Sequence, residues 1–93
     1  MLPLAKAETD EARRKRMSMR AWRRGTKEMD LILGPYADVH VKDMNEAALT
    51  AFDALLNESD TDLLPWIMGQ SATPTAHAAL IVKIATFART RFA

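Results

Sequence analysis

Apolar residues along this chain recur at spacings of three and four rather than two, and the polar positions between them carry helix-capping chemistry. The pattern predicts a first helix over about residues 10–24, closed by Gly25 as a left-handed C′ glycine. Thr26 caps a second helix whose acids Glu28 and Asp30 suit its positive end. Met29, Ile32, Leu33, Tyr36 and Ala37 fall on one face of it. Gly34-Pro35 is expected to bend or interrupt this helix, because proline lacks a donor and clashes one turn back. Asp43-Met44-Asn45-Glu46 reads as a capping box with Asp43 as the cap, opening a third helix to about residue 57. Ala48, Phe52, Leu55 and Leu56 line its inner face. An acidic connector, 58–62, leads to a short helix over 63–68, with Pro65 in its first turn and Gly69 at its end. After a loop at 70–72, Thr73 caps a last helix that has Pro74 in its first position and runs to about residue 91. Leu80, Ile81, Ile84, Phe87 and Ala88 face inward on it. The expected fold is all-α, a small single-domain bundle of about five helices spanning 10–93, with residues 1–9 frayed.

Length and composition narrow the function. A chain of 93 residues buries roughly 60–65% of its unfolded surface, a thin core that does not easily enclose a deep catalytic pocket. There is no cysteine, so disulfides, thiolate nucleophiles and cysteine-based metal sites are excluded. No apolar run approaches the roughly 20 residues of a membrane-spanning helix. The opening Met1-Leu2-Pro3-Leu4-Ala5 is too short for a signal-peptide core, and Glu8, Asp10 and Glu11 oppose a mitochondrial presequence. A soluble cytoplasmic protein without membrane insertion is expected, ahead of one in the mitochondrial matrix. The formal net charge of +1 hides a segregated pattern. Residues 6–27 hold nine Lys/Arg and three Asp/Glu; residues 28–62 hold one Lys and nine Asp/Glu; residues 63–93 hold three basic residues and no acid.

The candidate chemistry gathers where the charge reverses. Arg13-Arg14-Lys15-Arg16, continued by Arg20, Arg23 and Arg24, forms a basic stripe with Trp22 among it. Such a stripe either pairs with the chain's own acidic middle, docks a protein, or grips nucleic acid by phosphate neutralisation and stacking. The balanced total charge argues against nucleic acid. Gly25 is first of all a helix cap, and Glu28 a dipole partner. Two arginines directly before the glycine add a second reading, because a glycine turn leaves backbone open to close approach. Asp60 and Asp62 read as caps, and Trp66 as the residue that holds the short helix down or, alternatively, as a contact. His40 and His77 lack a second ligand at helical spacing and are not expected to bind metal; His77 is expected at a surface or rim. The six methionines read as core filling.

Arg23-Arg24-Gly25-x-x-Glu28-Met29-Asp30, followed by Asp60-x-Asp62-Leu63-x-x-Trp66, resembles the FAD assembly factor SdhE family, bacterial relatives of mitochondrial succinate dehydrogenase assembly factor two. The match covers about residues 12–69 in order and spacing. The resemblance implies a non-catalytic helical assembly factor, monomeric, that binds the flavoprotein subunit of succinate dehydrogenase or fumarate reductase and promotes covalent FAD attachment. It implies that Arg24, Gly25 and Glu28 meet the partner, with Arg23 and Asp30 beside them. Arg20, Asp60, Asp62 and Trp66 are partner-binding or structural. FAD is then the cofactor of the client; with no glycine-rich phosphate loop, no tight site for it is expected on this chain. The rival reading is an antitoxin-like or nucleic-acid-binding regulator using the basic helix 13–24, and a membrane-surface adaptor comes third.

Overall fold

The computed structural model describes residues 8–92. Five α-helices and one short 3-10 turn follow in order: α1 Asp10–Ala21, α2 Lys27–His40, the turn Val41–Asp43, α3 Glu46–Leu56, α4 Asp60–Ile67 and α5 Thr75–Phe92. No strand occurs among the described residues, so the all-α expectation holds. Of the segment expected to fray, residues 1–7 lie outside the described residues. Thr9 caps α1 by accepting from the amide of Ala12 at 3.0 Å, and Glu8 pairs with Arg16 at 2.8 Å.

One core joins all five helices. Met17, Met29, Leu33, Leu49, Phe52, Leu55, Leu63 and Ile84 are fully buried within it. Each contributes about 1.5–3 kcal/mol by leaving water. Leu49, Phe52, Leu55 and Leu56 carry the inner face of α3; Ala48, expected there, is only half-buried. On α5, Ile81, Ile84 and Ala85 are buried, while Leu80, Phe87 and Ala88 pack partly exposed at its margin. Met17 and Met29 are core residues, but Met19 and Met68 are exposed.

Helix ends depart from the sequence expectation in instructive ways. The first helix stops at Ala21 rather than near residue 24, with Trp22 as its C-cap. Gly25 is therefore not a C′ glycine. It lies in the connection, immediately before the α2 cap Thr26, at φ +104°. α2 runs unbroken through Gly34-Pro35. The helix does without the bond that a Pro35 amide would have given to the carbonyl of Leu31. Gly34 has a different purpose: a Cβ there would lie 2.3 Å from Cδ2 of the Trp22 ring, which rests on the helix at that point. The cap of α3 is Asn45, whose side chain accepts from the amide of Ala48 at 2.9 Å, and Asp43 belongs to the preceding 3-10 turn. The Val41–Asp43 turn carries the chain two residues further before α3 starts.

α4 begins at Asp60, three residues earlier than expected, because Ser59 stands in the cap position. Pro65 is consequently mid-helix rather than in the first turn. Its carbonyl accepts from Gln70 at 2.8 Å while Trp66 accepts from Gly69 at 3.2 Å, and Gly69 has φ +74°. This paired closure is a Schellman motif, for which a left-handed glycine is the favoured residue. α5 starts at Thr75, one residue past the predicted position, with the amide of His77 donating to Pro74 at 2.9 Å.

Candidate functional site

The α1–α2 connection divides its side chains into two sets. Arg24 turns inward and is only 10% exposed. Its Nε meets Asp60 at 2.9 Å, its Nη1 donates to the carbonyl of Leu56 at 2.6 Å, and its Nη2 donates to the carbonyl of Glu58. It thus caps the C-terminal end of α3 and neutralises the first residue of α4 at once. The Arg24 amide donates to Asp30 at 2.6 Å, and Thr26 Oγ1 donates to the other Asp60 oxygen at 3.3 Å. Arg24, Asp30 and Asp60 form one pin that fixes the path of the turn. Helix α1 ends early for the same reason: the backbone must leave the helix to bring Arg24 to the α3–α4 junction.

The second set faces water. Arg23, Gly25, Lys27 and Glu28 are exposed. Nothing lies within 4 Å of where a Gly25 Cβ would be, so the glycine serves its positive φ rather than internal space. The Arg23 guanidinium and the Glu28 carboxylate have no partner among the described residues. Trp22 borders them, 39% exposed, with Nε1 donating to both oxygens of Asp38 at 3.2 Å. The turn offers a small projecting surface of two cations, open backbone and one anion, while the Trp22 ring lies further along α2, over Gly34.

The second sequence cluster is split. Asp60 belongs to the pin. Asp62 is exposed and accepts from Ser59 Oγ at 3.1 Å, inside its own helix start. Trp66 is half-buried, with its ring 5.8 Å from that of His77. His77 is buried, not at a rim: its Nε2 lies 2.9 Å from Glu58 Oε2. It reaches inward because α4 and α5 pack together there, placing it against Trp66. The His40 ring lies tilted against that of Tyr36, centroids 4.5 Å apart. Burial pushes the Tyr36 hydroxyl up from its ordinary range.

The basic stripe is largely consumed within the molecule. Arg13 meets Glu46 at 2.7 Å, Arg14 meets Asp10 at 2.8 Å and also donates to the carbonyl of Val41, and Arg16 meets Glu8. Arg20 binds Asp53 and, at 2.7 Å, Asn57 Oδ1. The hydrogen bond from Arg13, with its charge, holds Glu46 below the usual carboxylate range; Arg14 does this to Asp10 and Arg16 to Glu8. The pairs Arg13–Glu46 and Arg20–Asp53 rise together along both helices, so α1 and α3 run parallel, and Arg24 extends the ladder. Reading the stripe alone missed Asp53. Glu46, Thr50, Asp53 and Asn57 are spaced four, three and four apart, one polar face of α3, and that spacing was the available signal.

Two of the surface concavities bear on the choice of site. A groove of about 840 Å³ opens between α3 and α5, with Tyr36, His40 and Phe87 in its lining, away from the turn. A second of about 450 Å³ runs along α1 to Arg23 and Arg24. The larger contains none of the candidate residues from the sequence, and size alone does not make it the site. Among the described residues no group of three His, Asp or Glu side chains could hold a metal ion, and no helix is long and apolar enough to cross a membrane.

Comparison with known proteins gives a consistent picture. A family described as "Flavinator of succinate dehydrogenase" matches residues 15–88. The chain is 38% identical over 65 residues to the FAD assembly factor SdhE of Aliivibrio fischeri, covering 69% of this chain and 76% of that protein. It is 33% identical over 67 residues to the protein of the same description from Acetobacter pasteurianus, covering 72% of this chain and 62% of the relative. Succinate dehydrogenase assembly factor 2, mitochondrial, of Schizosaccharomyces japonicus is 37% identical over 67 residues; the match covers 72% of this chain but 47% of that protein. The chain thus spans most of its bacterial relative and about half of the mitochondrial one.

Proposed function

The chain belongs to the family of succinate dehydrogenase flavinators, and from that premise we propose that it binds the flavoprotein subunit of succinate dehydrogenase and promotes covalent attachment of FAD. The observation that carries the reading to particular residues is the division of the turn: Arg24, Asp30 and Asp60 build it, while Arg23, Gly25 and Glu28 are presented to a partner. The chain contributes no catalytic group. Flavin attachment is the chemistry of the cofactor and its acceptor once their geometry is set. The work left to an assembly factor is to favour the domain arrangement in which that geometry occurs, a population shift that needs differential contact with the competent state. A rigid turn suits this, since contacts that need no ordering lose less entropy on docking. FAD enters as the client's cofactor, with no separate tight site here, and fumarate reductase is a second client of the same chemistry. The protein acts as a monomer.

The nucleic-acid reading is supported less well, because five of the seven cations of the stripe are engaged with the protein's own groups. The test is co-expression with an apo flavoprotein subunit in a strain lacking its own factor. The reading expects flavin fluorescence to stay with the denatured subunit only when this chain is present. Equal labelling without it, together with tight salt-sensitive RNA binding, would favour the rival.

A further inference from the structure

The outer face of α1 presents an unpaired line of its own. Lys15 and Met19 lie four residues apart on this face, and Arg23 lies two residues past the end of α1; all three are exposed, Met19 to 43%. Lys15 and Met19 lie opposite Met17 and Ala21, which face the core. Lys15, Met19 and Arg23 line the 450 Å³ groove together with Ala12, Arg16, Arg20 and Arg24. Arg16 and Arg20 already hold Glu8 and Asp53. Lys15 and Arg23 are the two cations of the stripe whose side chains have no partner among the described residues. The groove therefore has an apolar middle, with two free cations in its lining, Lys15 on the helix and Arg23 just past its end.

We infer that this groove along α1 is a second docking surface, for a segment of the flavoprotein partner that carries two acidic side chains with an apolar residue between them. The inference rests on the proposed function for the partner's identity and adds where and how it is held. Charge complementarity sets the occupant: each free cation takes a carboxylate, and Met19, an adaptable thioether side chain, covers the apolar residue. Arg23 belongs to both this groove and the glycine turn, so one segment of the partner can run from the groove onto the turn. Nucleic acid fits less well. Two free cations neutralise about two phosphates, a salt slope near −2, too shallow for tight binding at physiological salt.

The test is the affinity of an apo succinate dehydrogenase flavoprotein subunit for the full chain, measured by titration at several salt concentrations. Lys15→Glu with Met19→Asp is expected to weaken binding about 10–100-fold, to flatten the salt dependence, and to leave the melting temperature unchanged. Flavinylation should recover when the variant is supplied in excess, since the turn is intact. Lys83→Glu on α5, with the same charge change, should bind like the parent. If the double variant melts early, Lys15→Glu alone gives the measurement, and it should still weaken binding several-fold. Parent-like affinity of the double variant overturns the inference while leaving the proposed function standing, as does loss of RNA binding with flavoprotein binding intact. A parent chain that does not bind the flavoprotein overturns both.

Discussion

Replacing Arg24 by alanine separates the two meanings of the arginine pair. The side chain is 10% exposed and its carboxylate partner Asp60 14% exposed. The substitution leaves that carboxylate, and the carbonyls of Leu56 and Glu58, without their donor. Hydrogen bonds to charged groups contribute about 1.5–3 kcal/mol each, and breaking a buried pair costs about 3–5 kcal/mol. The losses do not add fully, because Asp60 keeps the Thr26 hydroxyl and water can enter at the end of α3. A net cost of about 3–4 kcal/mol follows, against about 5–14 kcal/mol for a domain of this length. At about 4–8 °C per kcal/mol for small domains, the melting temperature should fall by roughly 12–30 °C. Arg24→Lys keeps a charge but loses the fork, and should fall between parent and alanine. Thermal melts by circular dichroism, backed by urea titration, measure this. A variant melting within about 4 °C of the parent, on the same scale, would refute the reasoning, and Arg24 would then belong with the outward contact residues.

Gly34→Ala should destabilise by about 1–3 kcal/mol through overpacking, despite alanine's better helix propensity; the Trp22 ring must leave Asp38, which urea unfolding followed by tryptophan fluorescence would register. Asn45→Ala should cost about 1 kcal/mol as a lost helix cap, whereas Asp43→Ala should stay within about 0.5 kcal/mol; equal effects would return the cap to Asp43. Glu8, Asp10 and Glu46 are all held low by arginine hydrogen bonds, so their stabilisation is present above about pH 4 and is lost as pH falls through the lowered folded values. The loss should shrink in high salt, because these pairs are exposed. Buried Tyr36 has the opposite sign: its contribution is present below about pH 10 and is lost as pH rises further. Urea midpoints across pH at two salt concentrations check both limbs.

The helices were legible because their signals are local. Thr26 caps, Gly69 closes a helix at positive φ, and the three-and-four spacing marked most inward faces. What escaped depended on contacts between distant segments. Arg24 draws α1 short because its acceptors lie more than thirty residues away, and no local rule places them. Gly34 looked like a helix breaker beside Pro35, and only the Trp22 ring lying on it explains the glycine. His77 could not be placed inward until α4 brought Trp66 to it. The candidate site was found as a motif, yet the motif did not distinguish its members. RRGxxE names two arginines alike; the fold turns Arg24 into scaffold and leaves Arg23 outside. Asp60 was grouped with Asp62 and Trp66 by sequence, although its partners are Arg24 and Thr26.

The central claim is that the outward residues of the turn act on a flavoprotein while the bundle merely carries them. Gly25→Arg keeps a positive φ at a cost on the order of 1 kcal/mol and meets no atom of the protein at its Cβ. Glu28→Ala removes an exposed carboxylate with no partner among the described residues. Both variants should fold. The measurement is covalent flavin on a co-expressed apo succinate dehydrogenase flavoprotein subunit, read as fluorescence of the denatured subunit, with the melt of each variant taken alongside. The account predicts near-parent melting and a large loss of flavin attachment for both variants. Parent-level attachment by the two folded variants would contradict it.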